Sequence, residues 1–347
     1  MLYRILLTLA ALSALGLVKP APAPASGVKL AIKGTHFTLN DKPTFLQGIS
    51  YFAGLGAPEA FIKKDLSDMR RLGFNWIRVF ATWNAYGVDL SAVTKDGGPR
   101  APYLERLKWL VAECDQRGII VDVTLSRESG SAPTAHLGTP TALQRAAETV
   151  IAALRDHHNW YVNLANERNI GDSRFVSFDE LQTIREAVRR ADPALLATAS
   201  NGGDISKDDL VKYLKVADLD FICPHRPRDP GSPAQTLSMT RQYLEWMKQI
   251  GRMAPILYQE PLRRGYNNWN PTCADLITDA TGAFKGGAAG WLLHNGGTRS
   301  APDERPRRSF GMRRRRLFDQ LDSEERCAAE NLRKKLVEAA PTGLQQK

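Results

Sequence analysis

The segment Met69-Arg-Arg-Leu-Gly-Phe-Asn-Trp-Ile-Arg78 combines the end of a helix with the start of a strand. The residues before it, 58–72, carry apolar side chains at helical spacing, and Gly73 is the residue type that most often follows a helix. The residues 76–81 are apolar and rich in aromatic and β-branched types, which is typical of a buried strand. A helix that leads directly into such a strand predicts one unit of a parallel α/β fold.

The same unit recurs along the chain. Strand-like apolar segments lie at 45–50, 76–81, 119–125, 160–165, 195–199, 221–224, 256–259 and 288–293. Segments with helical spacing follow them at 58–72, 103–117, 141–156, 177–191, 207–216, 233–250, 271–284 and 317–339. This repeat count favours an α/β fold of the (β/α)8 TIM barrel type over an open sheet. An open nucleotide-binding sheet is also disfavoured because residues 51–57, after the first strand, lack the G-x-G-x-x-G spacing.

The N-terminal region predicts a signal peptide followed by a hairpin. Arg4 precedes an apolar segment, 5–18, and Ala23-Pro24-Ala25 resembles a cleavage site, so residues 1–25 are expected to be removed on export. The apolar segment is shorter than the roughly 20 residues that span a bilayer, although an uncleaved anchor remains an alternative. We therefore expect a secreted or periplasmic protein without stable membrane insertion, with one domain over 26–340. Within it, the turn sequence Asn40-Asp41-Lys42-Pro43 predicts an N-terminal β-hairpin between 28–37 and 44–51.

Charge and cysteine content restrict the possible partners. The 347-residue chain has a formal net charge of +10, and much of the excess lies in two arginine-rich segments, 305–308 and 313–316. Such segments are usually solvated surface, with an acidic polymer or membrane surface as a second possibility, and we expect no nucleic-acid partner. The four cysteines form no C-x-x-C pair, so one disulfide and buried free thiols both remain open. No histidine has metal-ligand spacing, and we expect neither a metal nor a cofactor.

Two glutamates follow predicted strands, where a (β/α)8 barrel carries its functional side chains. Glu167 follows the strand 160–165 directly after Asn166, and Glu260 ends the strand 256–259 before Pro261. Two carboxylates at one barrel mouth can flank a glycosidic bond, because one can protonate the leaving oxygen while the other attacks the anomeric carbon or activates water. The alternative is that they form structural ion pairs. Candidate partners are Arg78, Arg168 and Arg263.

Other polar and aromatic residues occupy the same ends of the predicted strands. Glu128 is a rival carboxylate, although pairing with Arg127 explains it better, and His225 could bind a substrate hydroxyl. Exposed aromatic rings near such a mouth could stack on sugar rings. The candidates are Tyr51, Trp83, Tyr86, Trp269 and Trp291, of which Trp83 and Trp291 are favoured.

Taken in order, several motifs resemble the retaining glycoside hydrolases of clan A, most closely the cellulase family, family 5. They are Leu46-Gln-Gly-Ile-Ser50, Met69 to Arg78, Asn166-Glu167, Tyr258-Gln-Glu-Pro261 and Gly290-Trp291, and the likeness spans 28–295. The resemblance implies that Glu167 is the acid/base and Glu260 the nucleophile in cleavage of a β-linked oligo- or polysaccharide. It also implies supporting roles for Arg78 beside the nucleophile, Asn166 on the sugar 2-hydroxyl, His225 on the substrate and Trp291 beneath the sugar ring.

Two departures from the family pattern are visible. The His-x-Tyr motif expected after strand six reads His225-Arg-Pro227, and the histidine often found after strand three is replaced by Ser126-Arg-Glu128. Tyr258 or Tyr266 could contact the nucleophile in place of the missing tyrosine. The departures leave a second function open, that of a non-catalytic carbohydrate-binding barrel. A retaining enzyme requires carboxyl groups about 5 to 5.5 Å apart, whereas a structural pair does not.

Overall fold

A curled, parallel, seven-stranded sheet forms the centre of the molecule, as seen in a computed structural model that describes residues 27–127, 136–266, 268–298, 302 and 304–340. The strands are β1 Leu30–Lys33, β2 His36–Leu39, β3 Lys42–Thr44, β4 Leu46–Ser50, β5 Trp76–Phe80, β6 Asn84–Ala85, β7 Val88–Asp89, β8 Ile120–Thr124, β9 Trp160–Asn163, β10 Ala197–Thr198, β11 Ser200–Asn201, β12 Cys223–Pro224, β13 Leu257–Tyr258 and β14 Gly290–Leu293. The order in the central sheet is β10-β9-β8-β5-β4-β14-β13. The predicted signal peptide and Glu128 lie outside the described residues.

Further pairings connect the two ends of this sheet. β11 follows β10 after Ala199 and pairs in parallel with β12. Next to β12, Ile222 forms a parallel bridge with Ile256, and Leu257 N donates to Ile222 O at 2.9 Å. The curled sheet and the helices outside it match the (β/α)8 fold predicted from the repeat.

Nine α-helices are assigned in the described ranges, most of them between consecutive strands of the central sheet. They are α1 Glu59–Leu72, α2 Tyr103–Asp115, α3 Pro140–Leu154, α4 Phe178–Ala191, α5 Lys207–Val211, α6 Ser232–Ile250, α7 Cys273–Gly286, α8 Leu317–Gln320 and α9 Ser323–Ala339. Gly73 follows α1 with a φ of 87°, a left-handed conformation that glycine adopts without the steric cost of a Cβ. The helix predicted over 317–339 is divided, because Asp322 caps a new helix by accepting from Glu325 N. Within the described ranges, every helix is too short or too polar to cross a bilayer.

The predicted N-terminal hairpin is part of a small antiparallel sheet, β1-β2-β3. Its turn at Asn40 and Asp41 has positive φ values of 49° and 65°, which these residue types tolerate better than most. A second turn at Gly34, between β1 and β2, was not predicted. Leu30 and Phe37 from this sheet pack against the inward side chains at one end of the parallel strands, so the hairpin covers that end.

Side chains alternate between the inside and the outside of the curled sheet. The inward positions at the end near the hairpin are apolar, and include Leu46, Trp76 and Leu292. Nearer the carboxyl ends of the strands the inward side chains are polar: Gln259 Nε2 donates to Asp122 Oδ2 at 2.6 Å. The fold therefore places a buried polar layer directly beneath the expected functional site.

A disulfide joins Cys273 of α7 to Cys327 of α9 across 54 residues, whereas Cys114 and Cys223 are buried free thiols. Replacing both bridged cysteines by serine is expected to lower the free energy of unfolding by roughly 2–4 kcal/mol, because the bridge restricts the unfolded chain. Denaturant unfolding of the wild type and the double variant measures this difference. A reductant should destabilise only the wild type. Equal stability of the oxidised wild type and the double variant would contradict the expectation.

Candidate active site

Charged and polar side chains converge where the parallel strands end. Glu167 and Asn166 follow β9, His225 follows β12, Glu260 follows β13 and His294 follows β14. Arg78, in β5, reaches the same place from below, since it contacts both Glu260 and Asn166. The fold thus adds His294 to the polar site residues predicted from sequence and brings together all of these, which are Arg78, Asn166, Glu167, His225 and Glu260.

Glu260 is 5% exposed and is surrounded by cationic or imidazole groups. Its Oε1 accepts from Arg78 Nη1 at 2.6 Å, and its Oε2 accepts from Arg228 Nη2 at 2.9 Å. Nε2 of His294 lies 3.3 Å and Nδ1 of His225 lies 3.8 Å from Oε2. Burial alone would raise the pKa of Glu260, but the electrostatic environment of these four groups, of which Arg78 and Arg228 carry permanent charges, outweighs it and holds the pKa well below its usual range. An ionised carboxylate of this kind can act as a nucleophile.

Arg78 is fully buried and fixes the position of its neighbours. Its Nη2 donates to Asn166 Oδ1 at 2.7 Å, and its Nε donates to Thr124 Oγ1 at 3.0 Å and lies 3.2 Å from Asp122. Because the carbonyl oxygen of Asn166 is used in this way, its amide nitrogen is the group that can donate to a ligand.

Glu167 has an unusual backbone conformation and two basic partners. Its φ of 46° is left-handed, a conformation that costs free energy in a residue other than glycine and often marks a functional position. Its Oε1 lies 3.3 Å from His225 Nδ1, and its Oε2 accepts from Arg174. Burial would raise the pKa of Glu167, yet the His225 hydrogen bond and the electrostatic effects of His225 and Arg228 together outweigh it, and the pKa is lowered. In the unliganded protein Glu167 therefore lacks the raised pKa that a general acid needs near neutral pH.

Two buried imidazole nitrogens at the site have no hydrogen-bond partner among the described residues. They are Nε2 of His225 and Nε2 of His294. The Nδ1 atom of His294 lies 2.8 Å from Ser50 Oγ, and burial lowers the pKa of His294 well below its usual value, so its imidazole is neutral. Nε2 of His225 is therefore available to a hydroxyl group of a ligand, whereas Nε2 of His294 faces Glu260 Oε2 at 3.3 Å.

The same cluster has the spacing of a metal site but not its charge. Ligand atoms of Glu167, His225 and Glu260 lie within 4.8 Å of one another. The two carboxylates, however, also contact guanidinium groups of Arg78, Arg174 and Arg228. These three positive charges disfavour a divalent cation between the carboxylates.

Trp291 and Tyr258 face away from the site, which corrects the roles predicted for them. Trp291 is buried between the sheet and α7, where its Nε1 donates to Asp279 Oδ2 at 2.6 Å. Tyr258 is buried on the outer side of β13, and its hydroxyl lies 2.8 Å from that of Thr240 in α6. In β14 the inward position is Leu292, so the next inward side chain on this strand is His294 rather than Trp291.

Trp83 and Tyr51 are also core residues, and the sugar-stacking role predicted for them is wrong. Trp83 is 1% exposed, packs against Phe52 and Phe80, and donates from Nε1 to Phe310 O at 3.2 Å. Tyr51 is fully buried and donates to Asp65 Oδ2 at 3.1 Å.

Sequence reasoning missed Arg228, Arg174 and His294, and named Tyr266 only as a replacement for the absent tyrosine. Tyr266 is 52% exposed, and the Arg228 guanidinium carbon lies over its ring, 4.7 Å from the ring centroid. Arg228 follows Pro227 and donates to Glu260, so an arginine takes the contact that the motif would have given to tyrosine. Arg168, considered as an ion-pair partner, donates instead to Val176 O.

Replacing Trp291 by phenylalanine is expected to lower the free energy of unfolding by about 1–3 kcal/mol, because buried Asp279 loses a donor. Affinity for a β-linked oligosaccharide should stay unchanged, because the ring faces the helices. Denaturant unfolding and calorimetric titration measure the two quantities. Unchanged stability with lost sugar affinity would restore the stacking role.

Two cavities open at the barrel mouth. One, of about 280 Å³, is lined by Glu167, His225, Arg228 and Tyr266 among others. The other, of about 670 Å³, lies against residues 85–90 and 304–315.

No model of a known protein family matches the chain, and no curated protein matches it in sequence. Solved structures do share its fold. An endo-1,4-beta-mannanase from Rhizomucor miehei aligns with a TM-score of 0.60 at 12% identity over 89% of this chain and 99% of that one. A family 5 glycoside hydrolase from Bacteroides vulgatus aligns with a TM-score of 0.66 at 14% identity, over 90% of this chain and 72% of that one. A family 5 mannosidase from Rhizomucor miehei, in complex with mannosyl-fructose, aligns with a TM-score of 0.59 at 14% identity, over 90% of this chain and 98% of that one. The resemblance to family 5 is thus confirmed at the level of the fold.

Proposed function

We propose that this protein is a retaining glycoside hydrolase that cleaves β-linked oligo- or polysaccharides by double displacement. The observation that carries the proposal is the pair Glu167 and Glu260 at the barrel mouth, which have oxygens within 4.8 Å of each other. Retaining enzymes hold their carboxyl groups about 5–5.5 Å apart, whereas inverting enzymes need roughly 6.5–9.5 Å to admit a water molecule. The shared fold with family 5 glycosidases supports the same class.

In this mechanism Glu260 attacks the anomeric carbon while Glu167 protonates the leaving oxygen. The attack forms a covalent glycosyl ester on Glu260, and Glu167 then removes a proton from the water that hydrolyses it. Arg78 keeps Glu260 ionised, and the Asn166 amide nitrogen donates to the sugar 2-hydroxyl. Nε2 of His225 would bind a further hydroxyl, and His294 would help to position Glu260.

The remaining expectations complete the proposal. We infer that the eight strand segments act as one closed barrel, supported by the β11–β12 pairing and the Ile222–Ile256 bridge. Residues 26–340 would form a single domain that is secreted or periplasmic after loss of 1–25, without a cofactor.

A non-catalytic carbohydrate-binding barrel is the second candidate, favoured by the lowered pKa of Glu167 and its contact with Arg174. An acid catalyst must be protonated, so a substrate would have to displace Arg174 and shield the carboxyl group. Incubation with β-glucans, β-mannans and aryl β-glycosides separates the candidates. Release of reducing ends supports the enzyme, and binding without release across the panel supports the second candidate.

Replacing His225 by phenylalanine is expected to move the basic limb of the kcat/KM profile up by about one pH unit. The sign follows from Glu167, which must be protonated in the free enzyme. The His225 hydrogen bond lowers the pKa of Glu167, so removing it lets the acid form persist to higher pH. His225→Asn, whose amide can replace the Nδ1 donor, should shift the limb less. An unmoved limb in the phenylalanine variant would show that Glu167 does not set it.

A further inference from the structure

Residues 305–316, which follow β14 and include both arginine-rich stretches, form one arginine-rich segment. Two of its arginines hold it against the rest of the fold. Arg308 Nε donates to Glu325 Oε2 at 2.6 Å, and Arg316 Nη1 donates to Asp65 Oδ1 at 2.9 Å. Both arginines are buried. The segment is therefore an ordered part of the mouth rather than a solvated tail.

The other five arginines of the segment line the 670 Å³ cavity. They are Arg305, Arg307, Arg313, Arg314 and Arg315. Glu304 is the one acidic residue among the described lining residues. Four of the five guanidinium-bearing residues are exposed, and Arg307 is half-buried with its guanidinium 3.9 Å from the Tyr86 ring centroid. The cavity thus has a strong excess of positive charge around an aromatic ring.

This cavity adjoins the carboxylate site. Phe310 lines it and lies 6.4 Å, between ring centroids, from His294. The Arg263 guanidinium lies 5.1 Å from the Phe310 ring centroid and 4.5 Å from that of Tyr266, which lines the smaller cavity beside Glu167. A continuous set of contacts therefore leads from the carboxylate pair to the arginines.

We propose that the arginine-lined cavity binds the anionic groups of an acidic glycan, so that the substrate carries carboxylate or sulfate groups beyond the sugar at the cleaved bond. The inference rests on the proposed glycosidase function and specifies its substrate class. Guanidinium groups bind planar carboxylates and sulfates through paired hydrogen bonds. The cavity volume lies within the roughly 300–1,000 Å³ typical of ligand sites. A nucleic acid could also bind these positive charges. The cavity, however, adjoins a carboxylate pair that fits cleavage of a glycosidic bond, and this favours a glycan.

The test is a comparison of binding at low salt by calorimetric titration. The probes are a β-linked oligouronate, a sulfated β-linked oligosaccharide, a neutral β-linked oligosaccharide of equal length and single-stranded DNA of equal charge. The test variant is Arg313→Gln/Arg314→Gln/Arg315→Gln. The matched control, Arg155→Gln/Arg190→Gln/Arg241→Gln, removes the same charge from exposed arginines on or beside the outer helices.

The wild type should bind one of the two acidic oligosaccharides at least about tenfold more tightly than the neutral one. The acidic probe that binds more tightly identifies the anionic group as carboxylate or sulfate. The triple variant should lose about tenfold in that affinity, the control less than about twofold, and added salt should weaken binding. If the triple variant has a lowered melting temperature, Arg305→Gln, expected to lose about twofold to threefold, replaces it. Equal binding of acidic and neutral probes, an unchanged test variant, or tighter binding of DNA than of either acidic glycan would overturn the inference.

Hydrolysis of the same probes separates this inference from the proposed function. Cleavage of neutral probes without preference for acidic ones would leave the glycosidase standing and remove the anionic site. Arginine-dependent binding of an acidic probe that is never cleaved would keep the site and remove the glycosidase.

Discussion

Replacing Glu260 by alanine is expected to reduce hydrolysis of a β-linked substrate by a factor on the order of 10⁴ or more. The carboxylate is the nucleophile in the proposed mechanism, and its Oε1 is held 2.6 Å from Arg78 Nη1 in a single orientation. Without it no glycosyl ester forms. The rate is measured as reducing ends or aryl groups released by protein shown to be folded by its melting temperature.

A small anion should partly restore the activity of this variant. Azide can enter the space that the carboxylate leaves, beside the positive charges of Arg78 and Arg228, and attack an aryl β-glycoside to give the α-glycosyl azide. Glu260→Gln, which leaves less space, should not be rescued. Glu186→Gln, on the exposed side of α4, should behave as wild type. Full activity of the folded alanine variant would remove Glu260 from the mechanism.

Replacing Arg78 by methionine is expected to lower the free energy of unfolding by roughly 3–5 kcal/mol at neutral pH, because it leaves buried carboxylates unpaired. Arg78 contacts Glu260 and lies 3.2 Å from Asp122, whose pKa burial raises to about 6 even with the guanidinium present. Denaturant unfolding measures the loss. A difference below about 1 kcal/mol would show that the ion pairs contribute little.

The loss should shrink as the pH falls. The pKa of Asp122, already about 6 with the guanidinium present, rises further without Arg78, so the folded variant takes up a proton at a higher pH than the folded wild type, while the unfolded value near 4 is the same for both. Its stability relative to wild type therefore recovers between about pH 7 and pH 5. Arg78→Lys keeps the charge but not the paired geometry and should fall between the two proteins.

The fold was accessible from sequence because each unit carries its own signals. The apolar strand 76–81, the helix before it and Gly73 determine local structure that neighbours do not override. Glu167 and Glu260 could be found because the carboxyl ends of all parallel strands lie on the same face of such a fold, independent of loop length and side-chain packing. Segment 317–339 shows where the interpretation failed, since Asp322 and Glu325 form a capping box that starts a new helix within one continuous helical spacing pattern.

The aromatic predictions failed for a physical reason. In a strand covered on both faces, Trp291 and Leu292 are equally apolar, so composition does not indicate which one faces the barrel interior. Counting back from Glu260 with a period of two would have put Tyr258 inside and Gln259 outside, whereas Gln259 contacts Asp122 inside and Tyr258 contacts Thr240 outside, so the strand end does not give the phase of its own strand. Arg228 and Arg174 lie in loops, and their reach to Glu260 and Glu167 depends on loop conformation that carries no periodic pattern.

The proposed pair of carboxylates is tested most directly by trapping the covalent intermediate. Dinitrophenyl 2-deoxy-2-fluoro-β-glycosides of several sugars combine a good leaving group with a fluorine that slows both steps, so the glycosyl ester accumulates. Mass spectrometry of the intact protein and its peptides then locates the label. The proposed mechanism predicts one fluoroglycosyl group on Glu260 and none in Glu260→Gln. A label on another residue, or turnover of an aryl β-glycoside to the α-product without any label, would contradict it.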